Sequence, residues 1–323
     1  INHLNLRDVS SVVPYLPKMA GFVSGDIHVL QENNTFTAVG AIETTKLQYE
    51  GTPLGSLGLE LFYMPEDNGH YVMAQILNAG REIAVLDGHY NDMPDATDSL
   101  GIVAADVLNA TLTLDKLPCN LLNPIMGEDG TIGLKGNLNG EISLAGPLNN
   151  LKLNGELQPD SIHAYSELYG YDLAMENKTI SIKNGKILFD KTAFKSTGEN
   201  PLIVDGSIDL GNFSGMDIDL NINANDFEII NARKTKKSMV YGKVFVDFNA
   251  TMKNRGELIV LRGELNVLDK TNVTYVMIDT PLQVEDQFNG LVEFTNFTDS
   301  QHEEEEQQMQ LSGTFAILKI GVS

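Results

Sequence analysis

The chain repeats itself at a fixed interval, and that property restricts what it can fold into more than any other. Gly21, Gly25, Gly40 and Gly55 recur as Gly136, Gly140, Gly155 and Gly170, each pair 115 residues apart (136 − 21, 140 − 25, 155 − 40, 170 − 55). The side chains between them agree as well: Val23 answers to Leu138, Asp26 to Glu141, Ile27 to Ile142, Val29 to Leu144 and Ile42 to Leu157. A long-period echo made of short alternating segments punctuated by glycine marks an array of similar β units, each burying its face against the next. Such arrays build surfaces and grooves more often than active sites.

The alternation is clearest from Thr131 to Leu148, where Ile132, Leu134, Leu138, Ile142 and Leu144 take even positions and Lys135, Asn137, Asn139, Glu141 and Ser143 the odd ones. Period two gives one apolar face and one wet face. After Gly146-Pro147 and Asn149-Asn150 the apolar phase moves to Leu151, Leu153 and Leu157, as expected when a turn resets the register. The pattern returns in Ile218, Leu220 and Ile222, and again in Val244, Val246 and Phe248. An all-β chain of antiparallel sheet with one polar side is the simplest reading.

Helical signals are confined to Leu6–Met19, Leu114–Met126 and Phe227–Lys237, and Pro14, Pro17, Pro118 and Pro124 limit the first two to brief turns. Each leads into a Gly-headed strand series near Gly21, Gly130 and Gly242. Three units follow: 1–129, 130–240, and a partial unit 241–323 that carries an acidic loop at 301–308.

Charge narrows the partners. The net formal charge of −22, from 44 acidic against 22 basic residues, repels nucleic acid and anionic bilayer surfaces and keeps a long sheet soluble. No run of about 18 apolar residues is present to span a membrane as a helix. The chain starts at Ile1 without Met or signal peptide and stops in the strand-like Phe315–Ile320, so both ends look cut from something longer. A single cysteine, Cys119, lies in an apolar stretch that suits a buried thiol better than a reactive one.

Catalytic and metal constellations are not found. His3, His28, His70, His89, His163 and His302 are scattered without nucleophile or carboxylate spacing, so neither an enzyme nor a cofactor is expected. The run Asp217-x-Asp219-x-Asn221-x-Asn223-x-Asn225 resembles a calcium loop superficially, but its sixth place is Ile222 where the loop's turn needs Gly. Its alternation with Ile218, Leu220 and Ile222 makes it the wet face of a strand. Glu303–Glu306 reads as a solvated loop, and the Asn-x-Ser/Thr triplets at Asn33, Asn109, Asn177, Asn212, Asn249, Asn272 and Asn296 follow from composition.

The apolar stripe has two readings, the closed core of a sandwich or barrel and the wall of an open groove for acyl chains. If the groove is open along one side, Leu144→Asp and Ile142→Asp should leave the fold intact. The motifs add a resemblance. Gly136-Asn-Leu-Asn-Gly140-Glu-Ile-Ser-Leu-Ala-Gly146-Pro147-Leu and Leu151-Lys-Leu-Asn-Gly155-Glu156-Leu157 resemble the recurrent glycine–leucine signature of the TamB family, and Ile203–Ile208, the Asp-x-Asp strand, Tyr241-Gly242-Lys and Thr271–Met277 resemble its succeeding landmarks in the same order. The likeness extends from about Gly21 onward. It implies an elongated, curled, taco-like sheet with an apolar groove, in a periplasmic piece of an AsmA-like envelope protein of Gram-negative bacteria anchored in the inner membrane. The groove would hold phospholipid or another acyl-chain lipid, lined by Val23, Ile27, Val29, Ile132, Leu134, Leu138, Ile142, Leu144, Leu153, Leu157, Ile218, Leu220, Ile222, Val244, Val246 and Phe248, and the partner would be an outer-membrane barrel of the Omp85 type. The alternative role is a chaperone-like scaffold for outer-membrane β-barrel proteins. A carbohydrate-active solenoid would need carboxylates or aromatics clustered on one face, and none is seen.

Overall fold

A computed structural model of the chain describes residues 1–12, 17–32, 35–91, 107–126, 132–210, 217–235, 238–255, 258–276 and 314–322. Strands make up 77% of the structure and helices 4%, so the all-β reading holds. The acidic run 301–308, His302, and the triplets at Asn33, Asn212 and Asn296 lie outside the described residues. Two compact units form, one from Ile1–Ser166 with Met175–Lys186, the other from Glu167–Ala174 with Ile187–Ser323.

The first unit opens with β1 (Leu4–Asn5), α1 (Leu6–Val12), β2 (Met19–Glu32), β3 (Thr35–Tyr49), β4 (Thr52–Gly55), β5 (Leu57–Glu66), β6 (Gly69–Asn78), β7 (Arg81–Asn91) and β8 (Val107–Pro118). A 3-10 turn (Cys119–Leu122) and α2 (Asn123–Met126) lead to β9 (Gly133–Pro147) and β10 (Lys152–Ser166). Antiparallel ladders join β1 to β2, β2 to β3, β3 to β4 and β5, and then each strand to the next as far as β10. After β11 (Tyr171–Met175), β12 (Ile180–Lys183) pairs with β10. Glu50-Gly51 and Ala79-Gly80 close their hairpins with left-handed φ at both residues (45° and 79°; 50° and 79°), the backbone of a type I′ turn whose twist suits the flanking strands.

The second unit contains β13 (Lys186–Lys195), β14 (Leu202–Asp209), β15 (Asp217–Ala232), β16 (Val240–Arg255), β17 (Leu258–Val267), β18 (Asn272–Tyr275) and β19 (Thr314–Val322). From β14 to β17 and from β16 to β18 the ladders are antiparallel. β19 instead runs parallel to β17.

The glycine echo is an echo of pairing. Gly25 pairs with Ile42 and Ile27 with Gly40 across β2–β3, and 115 residues on Gly140 pairs with Leu157 and Ile142 with Gly155 across β9–β10. Gly25, Gly40 and Gly140 leave room for the aliphatic side chain opposite: a Cβ at Gly140 would lie 2.9 Å from Leu157 Cδ2 and 2.5 Å from the Glu156 carbonyl oxygen, whereas at Gly155 it would meet the backbone of Glu141 and Ile142. Backbone conformation repeats too. Gly21 and Gly136 have φ of 114° and 98°, and facing them Lys46 and Ser161, again 115 apart, have φ of 52° and 55°.

The helical expectations are met only in part. α1 ends at Val12 and Met19 already belongs to β2; Leu114–Pro118 finishes β8, so the second helical stretch shrinks to Cys119–Met126. Of the stretch Phe227–Lys237, Phe227–Ala232 is not helical but continues β15, and Lys236 and Lys237 lie outside the described residues. The reason is burial. Phe227 is 0% exposed and Glu228 3%, and two bulges, at Ala224/Phe227 and Glu228/Ile230, break the period of two that marks a strand in the sequence.

Candidate functional site

Side chains that face each other across an antiparallel ladder share one side of the sheet, so the registers of the first unit can be read as rows. One row runs Ile27, Gly40, Leu61, Ala74, Leu86, Leu112, Ile142, Gly155 and Ile182. A second runs Gly25, Ile42, Leu59, Ile76, Ala84, Leu114, Gly140, Leu157 and Ile180, and a third Val29, Ala38, Tyr63, Val72, Gly88, Ala110, Leu144 and Leu153, in the same ladders. Tyr63 is the one polar side chain in the three rows, and its hydroxyl lies 2.9 Å from His70 Nδ1. On the opposite side the corresponding row is Asp26, Ala41, Glu60, Gln75, Val85, Thr113, Glu141 and Glu156. One face is therefore a continuous hydrocarbon surface that crosses eight strands in all three rows and a ninth, β12, in two of them, β4 and β11 aside.

Exposure changes along that face. At the β2 end Ile27 is 70% exposed and Val29 58%, with Ile42, Leu61, Val72 and Ile76 also exposed; from β7 onward Ala84, Ala110, Ile142, Leu153, Leu157, Ile180 and Ile182 are buried. Water thus reaches the rows from one end. Exposed apolar patches of this kind mark surfaces that bind something.

The second unit carries comparable rows. Gly206, Leu220, Met252 and Leu261 form one; Val204, Ile222, Ala250 and Gly263 the next; Leu202, Ala224, Phe248 and Leu265 the third; Phe227, Val246 and Val267 a fourth. Here they are covered. Val204, Ile218 and Leu220 anchor one packed cluster and Ala224, Phe227 and Val246 another.

Of the sixteen groove residues read from the sequence, Ile27, Val29, Ile142, Leu144, Leu153 and Leu157 share the three rows of the first unit, with Val23 and Leu138 one step beyond, paired to Thr44 and Pro159. Ile132 is exposed and precedes β9, outside any ladder; Leu134, at the start of β9, is held by its N–H to Asn123 Oδ1, 2.6 Å. Ile218, Leu220, Ile222, Val244, Val246 and Phe248 lie on the rows or row ends of the second unit. The reading missed Leu59, Leu61, Ala74, Ile76, Leu86 and Leu112. Their signal was present as alternation in 57–64 and 72–76 but lay outside the glycine grid. Ile142 is buried (9% exposed), so a carboxylate there would be trapped, and the expectation that Ile142→Asp leaves the fold intact is corrected.

Polar chemistry in the described residues is structural. Glu228 takes hydrogen bonds from Thr197 Oγ1 and, at 3.0 Å, from Lys243 Nζ. Burial pushes its carboxyl up, but the bonds from Thr197, Lys243 and Asn231 outweigh it and hold the group below its ordinary value. Sequence reading did not find this cluster, because its members are separated by loops and bulges. Asp217, Asp219, Asn221, Asn223 and Asn225 occupy the wet side of β15, with Lys253 Nζ 3.1 Å from Asp219. Cys119 is buried, which raises its thiol and makes it a poor nucleophile. Tyr71 donates to Asp87 at 2.6 Å, and that bond raises its phenol.

A repeated antiparallel sheet whose distinguishing feature is one hydrocarbon face defines a surface-forming β array. Residues 189–317 match the TamB C-terminal domain, which supports the TamB resemblance carried by the glycine–leucine motifs. That family is one of cell-envelope proteins, components of a translocation and assembly module that works with an Omp85-type barrel. No curated protein and no solved structure matches the chain. No described helix is long and apolar enough to cross a membrane, which leaves crossing by strands untouched.

Proposed function

We propose that the chain is a non-enzymatic lipid conduit of the periplasm, carrying phospholipid between inner and outer membrane with acyl chains laid on the apolar rows, in concert with an outer-membrane Omp85-type barrel. The observation that carries this reading is the exposed end of those rows. Ile27, Val29, Ile42, Leu61, Val72 and Ile76 offer water a hydrocarbon surface that is continuous, strand by strand, with Ile142 and Leu157. Leaving such a surface wet costs about 25 cal/mol for each Å², and an acyl chain covers it without needing hydrogen bonds. Native mass spectrometry of the purified chain should show bound phospholipid. Ile27→Asp with Val29→Asp should abolish it while leaving circular dichroism unchanged, because both side chains already reach water. Lipid-free protein that takes up no added phospholipid would sink the reading. The scaffold alternative predicts that crosslinking captures β-barrel peptides in place of lipid.

A further inference from the structure

Three rings stand at one margin of the apolar face in the first unit. Two residues beyond the Val29 row along each strand, the ladders align Pro65, His70, Tyr90, Leu108 and Gly146 on the same face. His70 and Tyr90 meet the one polar side chain of the rows themselves. Tyr63 stacks on His70 (centroids 5.6 Å apart, planes at 28°) with its hydroxyl 2.9 Å from Nδ1, and His70 stacks on Tyr90 (6.2 Å, 10°). All three are half-buried, and just past them the turn at Asp67 and Asn68 closes β5 on β6. Rings with an apolar body and a polar tip suit the boundary between hydrocarbon and water.

His70, on β6, covers one face of Tyr63. The other face looks toward β3, where the ladder partner is Ala38, whose side chain is a single methyl. Phe36, two residues from Ala38 on the same face of β3, is 50% exposed and brings a second ring to that place. An aromatic face carries the negative pole of the ring quadrupole and attracts cations. Charge in this part of the chain points the same way. Across β2–β6, residues 19–78, the sequence carries Asp26, Glu32, Glu43, Glu50, Glu60, Glu66 and Asp67 against Lys46 alone, and Lys46 lies eight residues along β3 from Ala38 (46 − 38). The two histidines His28 and His89 are each paired with a carboxylate, Asp26 and Glu66. An anion seated here meets a field of its own sign; an ammonium meets the opposite one. In the second unit the four rows hold no polar ring, and the strands carry Lys191, Lys195, Lys243, Lys253 and Arg262.

We propose that Tyr63, backed by His70 and Tyr90, receives the ammonium of a zwitterionic phospholipid head whose acyl chains lie on the Val29 and Ile27 rows. The assignment rests on the lipid reading above and narrows it to one class of head group. The ammonium takes the Tyr63 face over Ala38, and the acyl chains run from that margin onto Val29, Val72 and Leu61, its neighbours on the same face. The phosphate stays on the water side of the margin, where salt screens it from the acidic residues. A head with net negative charge has no such compensation against a chain of formal charge −22.

Vesicles of phosphatidylethanolamine and phosphatidylglycerol in equal amounts, with identical acyl chains, test it on the unaltered chain. Native mass spectrometry of the washed protein should show phosphatidylethanolamine retained about threefold or more over phosphatidylglycerol, the range of a cation on an aromatic face. Phosphatidylcholine, which has no N–H to donate, should be retained as well as phosphatidylethanolamine. Tyr63→Leu removes the ring, keeps the position apolar and leaves the net charge unchanged, and it should bring the ratio close to one. A preference that survives Tyr63→Leu belongs to the general field of the chain and overturns the assignment, as does retention of phosphatidylethanolamine without phosphatidylcholine. Lipid bound by the unaltered chain with no head-group preference overturns the assignment and leaves the conduit standing; a chain that takes up none of the three lipids overturns both.

Discussion

The two units present the same chemistry in opposite conditions. Both stack rows of aliphatic residues and glycine across antiparallel strands, yet in the second Phe227, Val246 and Ala250 are 2% exposed or less, while in the first Ile27 and Val29 stand more than half in water. Alternation decides which face a residue joins. It does not decide whether that face is covered, because cover comes from other chain segments that leave no mark in the local period.

That contrast can be broken by truncation. Phe227→Ala should destabilise the second unit by about 3–5 kcal/mol, the cost of deleting a large side chain from a packed site, measured as a lowered urea midpoint. Ile27→Ala in the first unit should change the midpoint little. Comparable losses at the two positions would mean that the exposed face is packed after all.

A carboxylate sharpens the same comparison within one row. Ile142→Asp buries a charge without a partner and should cost several kcal/mol or force neutralisation; Ile27→Asp, the matching residue of the first copy, should leave the melting temperature within about a degree or two of the parent. Equal tolerance at the two would refute the exposure gradient.

Smaller effects follow from Glu228. Thr197→Val removes a hydrogen bond to a buried carboxylate and should cost about 1.5–3 kcal/mol in denaturant titrations. Because the folded carboxyl titrates below its ordinary 4.5, its contribution is complete above that value and is lost as pH falls through the lower, folded one. Glu228→Gln should therefore flatten the acid limb of the stability profile below about pH 4.5. An unchanged acid limb would show that the stabilising bonds to Thr197 and Lys243 are absent in solution. The first unit has no such buried carboxylate among the described residues.

How much of this could be read in the sequence depends on the kind of signal. The glycine grid located both hairpins, and the period of two placed Ile142, Leu144, Leu153 and Leu157 on one face, because each follows from local geometry. Phe227–Ala232 was misread as helical because bulges break that geometry where burial is deepest. Rows through Leu61, Ala74, Leu86 and Leu112 were missed for another reason: they exist only once strands far apart in sequence are laid side by side. The match of left-handed residues, Lys46 with Ser161, has no residue-type signature at all.

The pairing of glycine with an aliphatic residue has a consequence for how such a sheet changes over time. At Gly140–Leu157 and Gly40–Ile27 the space that one partner leaves is the space that the other fills, so the quantity being held constant is the volume of the pair. A larger residue on one strand is admissible only with a smaller one across the ladder. Each rung is then a two-letter word whose letters drift together, and the hydrocarbon surface outlives the particular residues that compose it.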